Sequence, residues 1–119
     1  MGRKSLAEDA LSDQARQALE QLGVNLKTAR IRRGITQESL AERLSVSRPT
    51  ISKLEKGSPS VGIGVLVLAL ELFGMADQLE RLAAADADTL GKSLEARTAR
   101  QRASGKQAAF SIDDDDLDF

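Results

Sequence analysis

Four side chains between Ser47 and Gly57 have the chemistry to bind a polyanion and read its bases: Arg48, Thr50, Ser52 and Lys53. Two are long cations and two are short hydroxyls, the donors and acceptors that meet phosphate oxygens and base edges. Their spacing predicts one outer face of a short helix, with Ile51 and Leu54 on the inner face. Ser47 is placed to cap that helix and Pro49 falls in its first turn, where a missing N–H costs little. Gly57 ends it. Just upstream, Thr36 caps another short helix whose Leu40, Ala41 and Leu44 form an apolar stripe, and Leu44-Ser45-Val46 is the turn between the two. Helix, tight turn, helix is an arrangement that lays its second helix in a DNA major groove. The paired N–H groups of Arg48 suit guanine, worth ~1–3 kcal/mol of discrimination against a wrong base. Lys53 either reads a guanine edge or holds a phosphate. On an isolated helix the same side chains would be merely solvated.

The elements that must position this face lie on both sides of it. Leu11, Ala15, Ala18, Leu22, Leu26 and Ala29 recur at spacings of three and four, which predicts a long amphipathic helix from Ser12 to Arg33, ended by Gly34. Gly23 weakens its middle by up to ~1 kcal/mol relative to Ala. Ser5-Leu6-Ala7-Glu8 matches a capping box further upstream. After the motif, residues 58–64 form a loop into a helix over Ile63 to Phe73 that is apolar nearly all round, with Glu71 its only charge. One face covers the motif. A second face, around Val65, Leu68 and Leu72, needs another partner, either the long first helix or a second subunit. Gly74 breaks the chain, and Met75 to Ala84 reads as another short helix carrying Leu79 and Leu82. Leu90 to Arg102 is polar and fits a helix with little to bury, and Ala103 to Lys106 reads as a linker. Ala108 to Ile112 is the one place that fits a short strand. The resulting division is an N-terminal arm (1–11), a DNA-binding domain (12–84, motif 36–57), a polar linker or weak helix (85–106) and an acidic tail (107–119).

The formal net charge of −1 conceals a division along the chain. Residues 23–57 carry eight bases (Lys27, Arg30, Arg32, Arg33, Arg43, Arg48, Lys53, Lys56) against three acids, whereas residues 85–119 carry five bases against eight acids. The motif is therefore a cationic island, and Arg32, Arg33, Arg43 and Lys56, individually ordinary surface charges, collectively suit phosphate contact. The 119 residues contain neither Cys nor His, which removes disulfides, thiolate chemistry and the usual zinc and nucleophile–base sites. The sequence thus points away from an enzyme and implies no cofactor and no metal. Only three aromatic residues are present, so the core must be aliphatic. The N-terminus lacks the apolar run of a signal peptide, and the longest apolar stretch, Ile63 to Leu70, falls far short of the ~20 residues that span a bilayer. A cytoplasmic, nucleoid-associated protein without a membrane segment is expected.

With these residues placed, residues 23–73 resemble the lambda-repressor-like, or Xre, helix-turn-helix family of bacterial and phage regulators, most specifically through the string from Arg32 to Gly57. The resemblance implies an all-α fold of five packed helices with the third as recognition helix. It places Arg48, Pro49, Thr50 and Lys53 at base-facing positions. Gln37 would bond a phosphate and brace the recognition helix. Ser47 would touch a phosphate, and Ser52, Arg33, Arg43 and Lys56 fall among the phosphate-contact and positioning residues. Arg30 and Glu55 match a pair that ties the first helix to the third. Ser45 departs from the Gly common at the turn, a modest cost if its φ is positive. Pro49 removes any polar base contact there, leaving a thymine methyl as its target. A narrower similarity, over Pro59 to Gly74, Asp77 to Leu82 and Asp88 to Leu94, is to HipB-like antitoxins encoded beside HipA-type kinase toxins. It implies a homodimer that represses its own operon on an inverted-repeat operator in double-stranded DNA and binds a cognate toxin. A plain regulator without a toxin, or a protein-interaction module with vestigial DNA binding, are the other readings.

The tail has no counterpart in that resemblance. Phe110, Ile112, Asp113, Asp114, Asp115, Asp116, Leu117 and Phe119 combine acidic and spaced apolar residues, a composition that favours disorder alone and order on a partner. Three readings stand: a solubilising tail, a segment that docks on a basic toxin surface, or a phosphate mimic that folds back on the basic helices. The run of Asp lacks the spacing and Gly of an EF-hand loop.

Overall fold

In a computed structural model the chain is described from residue 10 to residue 109, and it is helical without strands among the described residues. The helices are α1 (Asp13–Arg32), α2 (Gln37–Leu44), α3 (Arg48–Glu55), α4 (Ile63–Leu72), α5 (Asp77–Arg81) and α6 (Thr89–Ala109), with a 3₁₀ turn at Ala85–Ala87. The chain divides into two compact units between Leu79 and Glu80, inside α5.

In the first unit the helix starts follow from side-chain caps. The hydroxyls of Ser12, Thr36 and Ser47 accept the backbone N–H groups of Ala15, Ser39 and Thr50 at 3.1, 3.0 and 3.3 Å. Each satisfies a donor that the first turn leaves orphaned, typically worth about 1 kcal/mol. The turn between α2 and α3 passes through Ser45 in the left-handed region (φ 57°, ψ 42°), so the Ser that stands there carries the expected small backbone cost. The core consists of Leu26 and Ala29 from α1, Leu40, Ala41 and Leu44 from α2, Ile51 and Leu54 from α3, and Ala69, Leu70 and Phe73 at the end of α4. Leu40 and Ile51 are the most deeply buried large side chains. Full burial of each removes apolar area worth about 1.5–3 kcal/mol. Packing pairs α3 with α2 and with α1, and α2 with α4.

Gly23 does not weaken α1 in the way its helix propensity suggests. It is buried where α1 crosses the C-terminal end of α3, and a Cβ built there would lie 2.4 Å from the Glu55 carbonyl oxygen and 2.7 Å from the Gly57 nitrogen. Gly57 reciprocates: it has φ +74°, and its Cβ would lie 2.4 Å from the Leu19 carbonyl oxygen. Two glycines thus let two backbones approach to a distance no side chain permits.

The helix after the motif is apolar all round, as the sequence predicts, and α1 does not cover its second face. Val65 is half-buried, but Leu68 and Leu72 remain exposed (42% and 40%), beside an exposed Val67. Among the described residues of the first unit, nothing covers Leu68 and Leu72. The helix expected over Met75 to Ala84 shrinks to Asp77–Arg81: Leu79 joins the edge of the core, while Leu82 is 68% exposed.

In the second unit the weak helix expected from Leu90 to Arg102 extends further than the sequence suggests. Residues 89–109 are one helix, and the linker placed at Ala103 to Lys106 and the strand begun at Ala108 are part of it. The segment lacks Pro and is rich in Ala, Arg, Lys and Gln, whose intrinsic preference is helical even where nothing is buried. Asp88 helps start the helix, since its carboxylate accepts the Gly91 N–H at 2.9 Å. The capping box at Ser5–Glu8 and the tail residues from Phe110 onward lie outside the described residues.

The crossing yields a direct expectation. Gly23→Ala should destabilise the first unit by about 1–3 kcal/mol through overpacking against backbone. Gly105→Ala, in open space on α6, should be neutral or raise helicity, worth up to ~1 kcal/mol. Urea unfolding followed by circular dichroism measures both. Equal stability of Gly23→Ala and the parent would refute the contact-limited crossing.

Candidate nucleic-acid interface

The recognition face is built on a buried ion pair. Arg30, in the last turn of α1, and Glu55, at the end of α3, are both buried, at 8% and 7% exposure. The Arg30 guanidinium donates from Nε to Glu55 Oε2 at 2.5 Å and from Nη2 to Oε1 at 3.0 Å, a parallel two-bond geometry that holds direction as well as distance. Its Nη1 donates to the Ile35 carbonyl at 2.8 Å, which ties down the link between α1 and α2. Gln37 donates from Nε2 to Glu55 Oε1 at 3.0 Å. Glu55 therefore receives three donors from two other elements. No buried side-chain nitrogen or oxygen among the described residues lacks a partner.

The pair sets the position of α3 relative to α1 and α2, and with it what α3 presents. Arg48 and Pro49 are exposed at its N-terminal end, Lys53 on its outer face and Lys56 just past its last residue. Thr50 and Ser52 are half-buried. The Thr50 hydroxyl lies 2.8 Å from the Ser47 hydroxyl. One of the two donates to the other, so the pair keeps one free O–H with which to meet an external acceptor. The N-terminus of α3 adds partial positive charge where Arg48 emerges.

A shallow polar depression lies beside this end of α3, lined by Lys27, Arg30, Thr36, Gln37, Glu38 and Arg48. Arg30 is neutralised by Glu55, and Glu38 puts a carboxylate on the rim, so positive charge is concentrated on Lys27 and Arg48. Of the residues singled out from the sequence, the structure gathers Arg30, Gln37 and Arg48 here, with Glu55 behind them. Ser47, Thr50, Lys53 and Ser52 follow along α3. Arg43, in the last turn of α2, is exposed and does not line the depression. Lys27 is the residue the sequence reading missed. It stands one helical turn before the buried Arg30, and that i, i+3 relation was the available signal.

Arg33, expected among the phosphate-contact and positioning residues, has partners inside the fold. Nη1 donates to the Ala29 carbonyl at 2.9 Å and Nη2 to the Phe73 carbonyl at 2.7 Å, and the group sits 5.1 Å from the centre of the Phe73 ring. It satisfies a carbonyl that the end of α4 leaves orphaned and adds a cation–π contact. Arg33 fastens α4 to α1.

A model of a helix-turn-helix domain family matches residues 21–84, more than half of the chain. No curated protein and no solved structure gives a significant match.

Removing one partner of the buried pair leaves the other charged and dry. Glu55→Ala should therefore cost about 3–5 kcal/mol, whereas Gln37→Ala, which removes one hydrogen bond to a still-paired carboxylate, should cost about 1 kcal/mol. Urea midpoints give both values. A Glu55→Ala chain within about 1 kcal/mol of the parent would contradict the pair's role, because breaking a buried pair costs more.

Proposed function

We propose that this chain, which belongs to the helix-turn-helix domain family and is a DNA-binding regulator, represses transcription as a homodimer on an inverted-repeat operator. The observation that carries this reading is the fixed, capped α3, whose buried face ends in the Arg30–Glu55 pair and whose outer face offers Arg48, Thr50 and Lys53. Arg48, Pro49, Thr50 and Lys53 read base edges in the major groove, with Pro49 restricted to apolar contact. Ser47, Ser52, Arg43, Lys56 and the newly placed Lys27 hold phosphates, and Gln37 acts through Glu55 to fix the helix that reads. Two α3 helices of a dimer enter successive major grooves about 34 Å apart. A dimer seated over its promoter excludes polymerase.

The division between reading and holding is testable by fluorescence anisotropy against the duplex upstream of the chain's own reading frame and against a scrambled duplex. Arg48→Ala should lose about 1–3 kcal/mol on the specific duplex and little on the scrambled one, relaxing base preference. Lys27→Ala should weaken both alike and reduce the slope of log affinity against log salt by about 1. A folded parent chain that does not distinguish the duplexes at low salt would sink the reading.

Dimerisation is supported by the apolar face of α4 at Val67, Leu68 and Leu72, which is exposed among the described residues. The similarity of residues 59–74, 77–82 and 88–94 to HipB-like antitoxins supports the narrower role of an autoregulating cytoplasmic antitoxin to a HipA-type kinase toxin. Equilibrium sedimentation of the chain, alone and mixed with the product of the neighbouring gene, separates the two claims. A dimer mass alone, and a heavier species with a kinase-like neighbour, are expected. A monomer at micromolar concentration would remove the inverted-repeat geometry. No heavier species with such a neighbour would remove the antitoxin role.

A further inference from the structure

The second unit contains a helix with no evident packing role. From Lys92 to Gly105, α6 is exposed along its whole described length, and it has no apolar stripe to bury. Its larger apolar side chains, Leu90 and Leu94, are themselves exposed at 70% and 48%. Over Thr89–Ala109 the sequence places five bases (Lys92, Arg97, Arg100, Arg102, Lys106) against a single acid, Glu95. Successive residues turn by about 100° around the helix, so Lys92, Arg97 and Arg100 occupy one broad arc beside the Leu90–Leu94 edge. Arg97 with Arg100 at i, i+3 sets like charges one turn apart, which weakens an isolated helix. Among the described residues, the side chains of Lys92, Arg97 and Arg100 have no hydrogen bond or ion pair. A surface helix with several unpaired cations, like-charge repulsion and nothing to bury is complementary to a polyanion.

We propose that α6 is a second DNA-binding element, which holds duplex phosphates through Lys92, Arg97 and Arg100 and reads no bases. The occupant follows from charge complementarity together with the family of the first unit: the polyanion that such a chain meets is duplex DNA, at one negative charge per about 1.7 Å of helix axis. The inference rests on the reading of this chain as a DNA binder. It adds to that reading a contact outside the helix-turn-helix, in the segment expected from the sequence as a polar linker or weak helix. With no bases read, α6 raises affinity for any duplex and leaves the preference between sequences to α3.

The test uses the full chain with Lys92→Gln, Arg97→Gln and Arg100→Gln combined. Gln keeps the helical preference, the sites are exposed, and far-UV circular dichroism verifies that α6 remains. Arg102 is left in place because it has an interaction of its own. Anisotropy on a random-sequence duplex across a salt series should show the slope of log affinity against log salt reduced by about 2–3. Affinity near physiological salt should fall about tenfold to a hundredfold, with the ratio between specific and scrambled duplexes unchanged. A helical variant with the parent's slope and affinity, or with higher affinity, overturns the proposal and assigns the charge to another anion, such as the acidic tail or an acidic protein. A variant that loses only the ratio between duplexes overturns it too, since α6 would then read bases. If the parent chain binds no duplex at low salt, the DNA-binding reading itself fails, and this inference with it.

Discussion

The first unit depends on a charge pair that has been taken out of water. Arg30 and Glu55 are separated by 25 residues and meet through two hydrogen bonds in the interior. Desolvating both groups costs several kcal/mol each, and their attraction repays this only with good geometry and fully used donors. Here Arg30 also bonds the Ile35 carbonyl and Glu55 also receives Gln37. Such a network adds little net stability over an apolar alternative, but it is intolerant of misplacement. Any slide or rotation of α3 would break bonds to α1 and to the start of α2 together. A helix that is to match a groove needs its direction fixed in this way, which apolar packing alone does less strictly.

The same junction is closed by backbone. Gly23 and Gly57 let α1 and the end of α3 approach where a Cβ would collide with carbonyl carbon and oxygen. Arg33 fastens the far end of α4 by bonding the Phe73 carbonyl and covering its ring. Both polar locks thus hang from the C-terminal end of α1, one holding α3 and the other the end of α4. The apolar surplus is left on α4, where Leu68 and Leu72 face outward.

Much of this was legible in the sequence because the signals were local. Caps at Thr36 and Ser47, the stripes of α1, α2 and α3, and the glycine stops all depend on residues within a turn of one another. The all-α class followed from them, and the Arg30–Glu55 pair followed from resemblance. What was not legible depends on residues distant in sequence. Gly23 looks like a propensity defect until Glu55 and Gly57 are seen against it. Arg33 looks like a phosphate ligand until Phe73, 40 residues on, presents its carbonyl. Lys27 looks like one of several surface cations until Arg48 is placed beside it. The helix at Thr89–Ala109 was undervalued for another reason: periodicity detects helices that bury a face, and this one buries none.

In the proposed function α3 reads sequence, its position set by the buried pair, and its first side chain, Arg48, meets guanine. Methylation interference on the upstream duplex tests that claim at the level of single bases, because a methyl on guanine N7 blocks a bidentate arginine. The predicted result is a pair of symmetry-related guanines about one helical turn apart whose methylation abolishes binding, with the interference lost in Arg48→Ala. A folded chain that binds the duplex with no guanine position sensitive to methylation, or with the same sensitivity after Arg48→Ala, would contradict it.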